Sequence, residues 1–106
     1  MTHSVALKEI THIESIGHCR VVHTANGSFD ERQQSLSSLQ ERLGTLAPGQ
    51  FISPCRGYIV NQSAIRTITA QDIQLCSEAK IPIRRGEFRK IRDAYFQWVF
   101  QSEGEV

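Results

Sequence analysis

Between Lys80 and Arg92 the chain carries six basic residues, Lys80, Arg84, Arg85, Arg89, Lys90 and Arg92, against the single acid Glu87, a net +5. Arg84 and Arg85 fall where a short apolar strand gives way to a helical pattern. Helix N-termini attract anions through free N–H groups and the helix dipole. Guanidinium groups there suit phosphate oxygens or the edge of a guanine. A charge run of this kind is often only the solvated face of a helix. The glutamate-to-lysine or -arginine i,i+4 pairs that dress such a face are missing here.

Histidine and cysteine offer a second chemistry. His18, Cys19 and His23 lie close together, with His12 upstream. Along one strand, residues 19 and 23 share a face, but at ~3.3 Å per residue they stand about 13 Å apart, too far for one ion. Residue 18 points the other way. The expectation is therefore turn or surface histidines and a small buried thiol, with no metal and no cofactor. Cys19 and Cys55 each precede an arginine, Arg20 and Arg56. A neighbouring guanidinium can lower a thiol pKa, which makes both cysteines candidates for redox sensing. The plainer reading is a small residue at a tolerant position. For catalysis the signals are absent. The carboxylates are scattered, and there is no GxSxG, no HExxH and no glycine-rich phosphate loop. The chain is read as a non-enzyme.

The whole chain bounds these readings. At 106 residues and 12.0 kDa it is one domain, and its 40% hydrophobic and 22% charged residues mark it as globular. No apolar run reaches the roughly 18 residues that a membrane span needs. The first residues have neither a basic nor an apolar signal region, and Cys19, Cys55 and Cys76 form no CxxC pair. Together these point to a reduced, cytoplasmic protein. The formal charge of +1 taken alone counts against nucleic acid. Resolved along the chain, it is a −1 first half, the +5 segment and an acidic tail over 101–106.

Short strands must position these groups. Ile10, His12, Ile13 and Ile16 read as extended, broken by Gly17, and a strand follows over 20–24. Asn26-Gly27 is a strong hairpin-turn dipeptide, so 29–34 is expected to pair back. Leu36, Leu39 and Leu43 lie on one face of a helix over 35–43, capped by Ser35 and ended by Gly44. Ala47-Pro48-Gly49 is a turn. The densest strand signal is 51–61, interrupted by Pro54, and further short strands are expected over 64–69, 72–76 and 81–83. Pro82 confines the last of these to a sheet edge. Phe88, Ile91, Tyr95 and Val99 form the apolar stripe of a C-terminal helix over 86–100. The fold class is mostly β, a β-rich α+β domain of short antiparallel strands with one central and one C-terminal helix.

These segments resemble a family. Phe51-Ile52-Ser53-Pro54-Cys55-Arg56-Gly57-Tyr58-Ile59-Val60-Asn61, then Ile65, Ile68, 73–75 and Ile81-Pro82-Ile83-Arg84-Arg85, are similar to the pattern F-x-R-x-H-R-S-Y-I-V-N … I … I … I-P-I-S-R of LytTR DNA-binding domains. Residues 7–15 resemble that family's L-x-D-I-x-Y-I-E opening, and Ser35-Leu36-Ser37-Ser38-Leu39 with Leu43 its S-L-x-x-L-x-x-x-L helix. The likeness runs over about 4–93. Cys55 replaces the usual His, Ser53 an Arg, Gly57 a Ser, and Arg84 the Ser before the family's Arg.

The resemblance implies a transcriptional regulator that grips double-stranded DNA at promoter repeats with loops rather than a recognition helix. The matching loops here hold Gly17, His18, Cys19 and Arg20, then Cys55 and Arg56, then Arg84, Arg85 and Gly86. His18 and Arg56 would reach base edges or phosphates, and Arg85 would read a base. Arg20, Arg89 and Lys90 would contact phosphate. Such domains usually form the output half of a bacterial two-component response regulator. An upstream receiver domain is therefore expected in the full-length protein, with a free-standing domain as the alternative. A homodimer on DNA is a further expectation. The competing reading is a redox or protein-interaction module using Cys19 and Cys55, or the aromatic patch of Tyr95, Phe96, Trp98, Val99 and Phe100.

Overall fold

The computed structural model describes residues 7–103, with side chains through residue 101. Eight strands and two α-helices run in the order β1 (Ile10–Ile16), β2 (Cys19–Thr24), β3 (Gly27–Glu31), α1 (Leu36–Leu46), β4 (Phe51–Ile52), β5 (Tyr58–Asn61), β6 (Ile65–Ile68), β7 (Asp72–Leu75), β8 (Lys80–Pro82) and α2 (Phe88–Glu103). Single turns of 3-10 helix precede β1 and β6. The strands form two antiparallel sheets, β3-β2-β1-β5-β4 and β6-β7-β8. This is the mostly β architecture expected from the short alternating runs.

The apolar residues collect in two clusters that meet at β5. Ile59 joins Ile10, Ile13, Val22 and Leu43, against which Leu36, Leu39, Phe29 and Phe51 pack. Val60 joins Ile65, Ile73, Leu75, Ile81, Ile83 and Ile91, with Tyr58 and Tyr95 alongside. Successive strand residues face opposite sides, so an unbroken apolar run is what a strand buried on both faces requires. Ile59 and Val60 are both fully buried. The central strand therefore belongs to the α1 core through one residue and the α2 core through the next.

Several boundaries differ from those expected. The β2–β3 loop is Ala25-Asn26, and Gly27 already pairs with Thr24. Thr24 Oγ1 closes the loop by donating to the Gly27 carbonyl at 2.8 Å. Pairing back ends at Glu31, which then turns the chain by accepting from Gln33 N at 2.7 Å. Gly44 lies inside α1 rather than ending it, because Ala47 N still bonds to the Leu43 carbonyl at 2.8 Å. The turn beyond the helix uses Gly49 instead, at φ 79°. Ser35 caps α1 as expected, its Oγ accepting from Ser38 N at 3.1 Å. Helix α2 begins at Phe88 and runs into the segment read as an acidic tail, and residues 104–106 lie outside the described residues. Within the aromatic patch, Tyr95 packs on the core while Phe96 and Phe100 stay exposed, their rings 6.4 Å apart.

Candidate nucleic-acid interface

Backbone hydrogen bonds bring together three loops that are far apart in sequence. The β1–β2 turn is a two-residue hairpin loop, Gly17-His18, with Ile16 opposite Cys19 and Gly17 at φ 58°. Just before it, Ser15 N donates to the Gly57 carbonyl at 2.8 Å, which ties this turn to the segment between β4 and β5. That segment is held by Pro54, which is fully buried, and by Ser53 Oγ, which donates to the carbonyls of Cys55 and Tyr58 at 3.1 and 2.8 Å. Gly57 takes φ 92°, a conformation that a side chain would strain. The Pro54 carbonyl then accepts from Arg84 N at 2.8 Å, which joins the third loop. There Glu87 N bonds to the Arg84 carbonyl at 3.0 Å, with Gly86 at φ 86°, and the chain turns into α2.

The residues singled out in the sequence lie on this linked set. His18 is exposed at the tip of the first turn, and Arg56 is exposed on the second loop rather than inside a strand. Arg84 and Arg85 are exposed on the third, and Arg89 and Lys90 are exposed in the first turn of α2. Arg56, Arg84, Arg85, Arg89 and Lys90 form no ion pair among the described residues. Arg32, Arg66 and Arg92 do, with Asp30, Glu78 and Asp93 at 3.5, 3.1 and 3.4 Å. Arg92 also lies over the Phe88 ring at 5.6 Å. Lys8, Arg42 and Lys80 also form no ion pair among the described residues, but the unpaired cations on and beside the three loops are the larger group.

Arg20 has a different situation from the other arginines. It is half-buried, and its Nη2 donates to the His18 carbonyl at 2.6 Å. Its guanidinium braces the turn that presents His18. The Nε of Arg20 is buried with no partner among the described residues. The cysteines are free thiols. Burial pushes the Cys55 thiol up, the opposite of the shift that thiolate chemistry at Arg56 requires. Cys19 is half-buried, its Sγ 3.6 Å from the Arg20 carbonyl.

A second group escaped the spacing argument applied along one strand. His12, Glu14 and His23 meet across β1 and β2, where register places His12 opposite His23. The rings stack with centroids 4.2 Å apart, and His23 Nε2 lies 2.8 Å from Glu14 Oε1. Burial, and then the neighbouring His23, lower the His12 pKa to about 4, so its ring is neutral at pH 7. The sequence signal was the turn. A two-residue loop at Gly17-His18 dictates this pairing.

Comparison with known proteins agrees with the fold and the motif. A family model described as the LytTr DNA-binding domain matches residues 1–95. No curated protein gives a significant match. A solved structure described as the LytTr DNA-binding domain of a methyl-accepting/DNA response regulator from Bacillus cereus superposes with a TM-score of 0.69. It is 18% identical and covers 85% of this chain and 84% of its own. No helix among the described residues is long and apolar enough to cross a membrane. With the family pattern matched over most of its length and the same two-sheet fold, this chain belongs to the LytTR family of DNA-binding domains.

Proposed function

We propose that the domain binds duplex DNA sequence-specifically through these three loops, as the output unit of a bacterial transcription regulator. The observation that carries this reading is the set of unpaired, exposed cations, Arg56, Arg84, Arg85, Arg89 and Lys90, on and beside loops joined by Ser15–Gly57 and Arg84–Pro54 hydrogen bonds. Loop-borne guanidinium groups reach base edges and phosphates without a helix lying in the groove. Arg85 and Arg56 are assigned to base edges, with His18 beside them on the first turn. Arg84, Arg89 and Lys90 are assigned to phosphates. Arg20 supports the His18 turn from behind. A receiver domain upstream in the full-length protein, and a second copy on an adjacent DNA repeat, complete the regulator.

The experiment is in vitro selection of bound duplexes from a random library, followed by gel shift of the selected sites. Wild type should enrich a defined motif. Arg85→Ala should relax the preference at one base position at a cost of about 1–3 kcal/mol. Arg89→Ala should weaken all sites about equally. If Arg56→Ala and Arg85→Ala both bind the selected sites as wild type does, the assignment of the loops fails.

A further inference from the structure

We propose that His12, Glu14 and His23 form a binding site for a zinc-class divalent transition-metal ion on the β1–β2 hairpin. The three donor atoms already lie within 4.8 Å of one another. Tetrahedral coordination at bond lengths of about 2.0–2.1 Å puts ligand atoms roughly 3.3 Å apart. His23 and Glu14, now at 2.8 Å, must open slightly and give up the proton between them, the distance to His12 must shorten, and the two rings, now stacked 9° from parallel, must turn until both in-plane lone pairs meet one ion. These are side-chain rotations that leave the strand pairing in place. Two imidazoles and one carboxylate are a donor set for zinc, copper or nickel rather than for calcium or magnesium, which favour oxygen alone.

The surroundings favour this use. The Thr11 hydroxyl donates to the His23 carbonyl at 3.2 Å, so at 3.3 Å from His12 Nδ1 its oxygen must accept. His12 then carries its proton on Nδ1 and turns the Nε2 lone pair outward. This is the outer-shell arrangement that orients histidine ligands in metal sites. His12 is 6% exposed, whereas the His23 and Glu14 side chains are 29% and 24% exposed. Most of the rearrangement therefore falls to His23 and Glu14, which are freer to move than the buried His12. Beyond them lies a shallow cleft lined by Thr24, Ser28, Ser77 and Ala79, with room for a water as fourth ligand. An ion here would clamp β1 to β2 within the hairpin that carries His18 at its tip.

The test is calorimetric titration of Zn²⁺ into reduced, chelator-treated full-length chain near pH 7.5. Long-range ¹H–¹⁵N spectra of the histidine rings are recorded on the wild type in parallel. One ion should bind per chain, shifting the Nε2 resonances of His12 and His23, with the metal-free His12 showing its proton on Nδ1. Glu14→Gln and His23→Ala should each weaken binding about tenfold or more, and Thr11→Val about tenfold. His18→Ala and Cys19→Ser should stay within about twofold of wild type. Failure of Zn²⁺ to bind overturns the proposal. So does loss of binding in Cys19→Ser or His18→Ala with Glu14→Gln unaffected, and so does a titration that leaves the His12 and His23 resonances in place. The spectra do not depend on any variant folding.

Discussion

Removing the amide of Asn61 should destabilise the whole domain although the residue touches no candidate ligand. Asn61 is fully buried at the end of β5. Its Nδ2 donates to the Ile10 carbonyl at 2.7 Å, which ties β5 to the start of β1. Its Oδ1 accepts from Ser63 N at 2.9 Å, Ser63 Oγ at 2.8 Å and Gln50 Nε2 at 3.3 Å. Asn61→Ala leaves two backbone groups, the Ile10 carbonyl and Ser63 N, without these partners. The Ile10 carbonyl is buried and costs about 1–3 kcal/mol unpaired, the lost cap on Ser63 N, on an exposed residue, adds about 1 kcal/mol, and the Ser63 hydroxyl and Gln50 amide can turn toward water. The expected loss is about 2–4 kcal/mol, out of roughly 5–15 kcal/mol for a domain of this size. Urea unfolding followed by circular dichroism measures it, with a Tm fall of about 10–25 °C as a second readout. Asn61→Asp sharpens the test. It keeps the acceptor for Ser63 but sets a carboxylate oxygen against the Ile10 carbonyl, so it should cost at least as much as alanine. A loss below about 1 kcal/mol for both variants would refute the reasoning.

Three further outcomes are expected. In the metal-free protein, held so with a chelator, the lowered His12 pKa of about 4 makes stability fall as pH drops from about 6.5 to 4. Over that window the unfolded chain takes up a proton that the folded chain refuses, a loss of up to about 3 kcal/mol, and His12→Gln should flatten it in urea titrations across pH. Mild peroxide should leave DNA affinity within about twofold, because the Cys55 thiol is shifted up by burial. A loss that reductant reverses and that Cys19→Ser abolishes would restore the redox reading. Gly57→Ala should cost about 1 kcal/mol or more by straining φ 92°, and should weaken DNA binding by displacing Arg56.

Much of this architecture was legible in the residues. The Tyr58-Ile59-Val60 run named the strand that both cores share, and Ser35 marked the start of α1. Pro54 and Pro82 marked an interruption and a sheet edge. What local rules missed was decided by neighbours. Gly44 fits a helix end, but Pro48-Gly49 supplies the turn four to five residues later. Asn26-Gly27 is a strong turn signal, yet Thr24 Oγ1 closes the loop one residue earlier.

The three candidate loops were named from the family pattern, not from spacing. Their adjacency rests on the Ser15–Gly57 and Arg84–Pro54 bonds, which no local pattern encodes. The His12–Glu14–His23 group was missed because distance along one strand says nothing about the strand beside it. The roughly 13 Å separating residues 19 and 23 stands, but hairpin register brings 12 against 23.

The most direct test of loop-borne DNA binding is anisotropy titration of a selected duplex across a salt series. Neutralising three to five phosphates should make log K fall against log salt with a slope of about −3 to −4.5. Replacing Arg56, Arg84 and Arg85 together by alanine should lower affinity about a hundredfold or more and make the slope shallower, since these are charge-assisted contacts to base edges and phosphates. Arg66→Ala, whose guanidinium is already paired with Glu78, should leave both unchanged. A triple variant that binds with wild-type affinity and slope would contradict DNA binding through these loops.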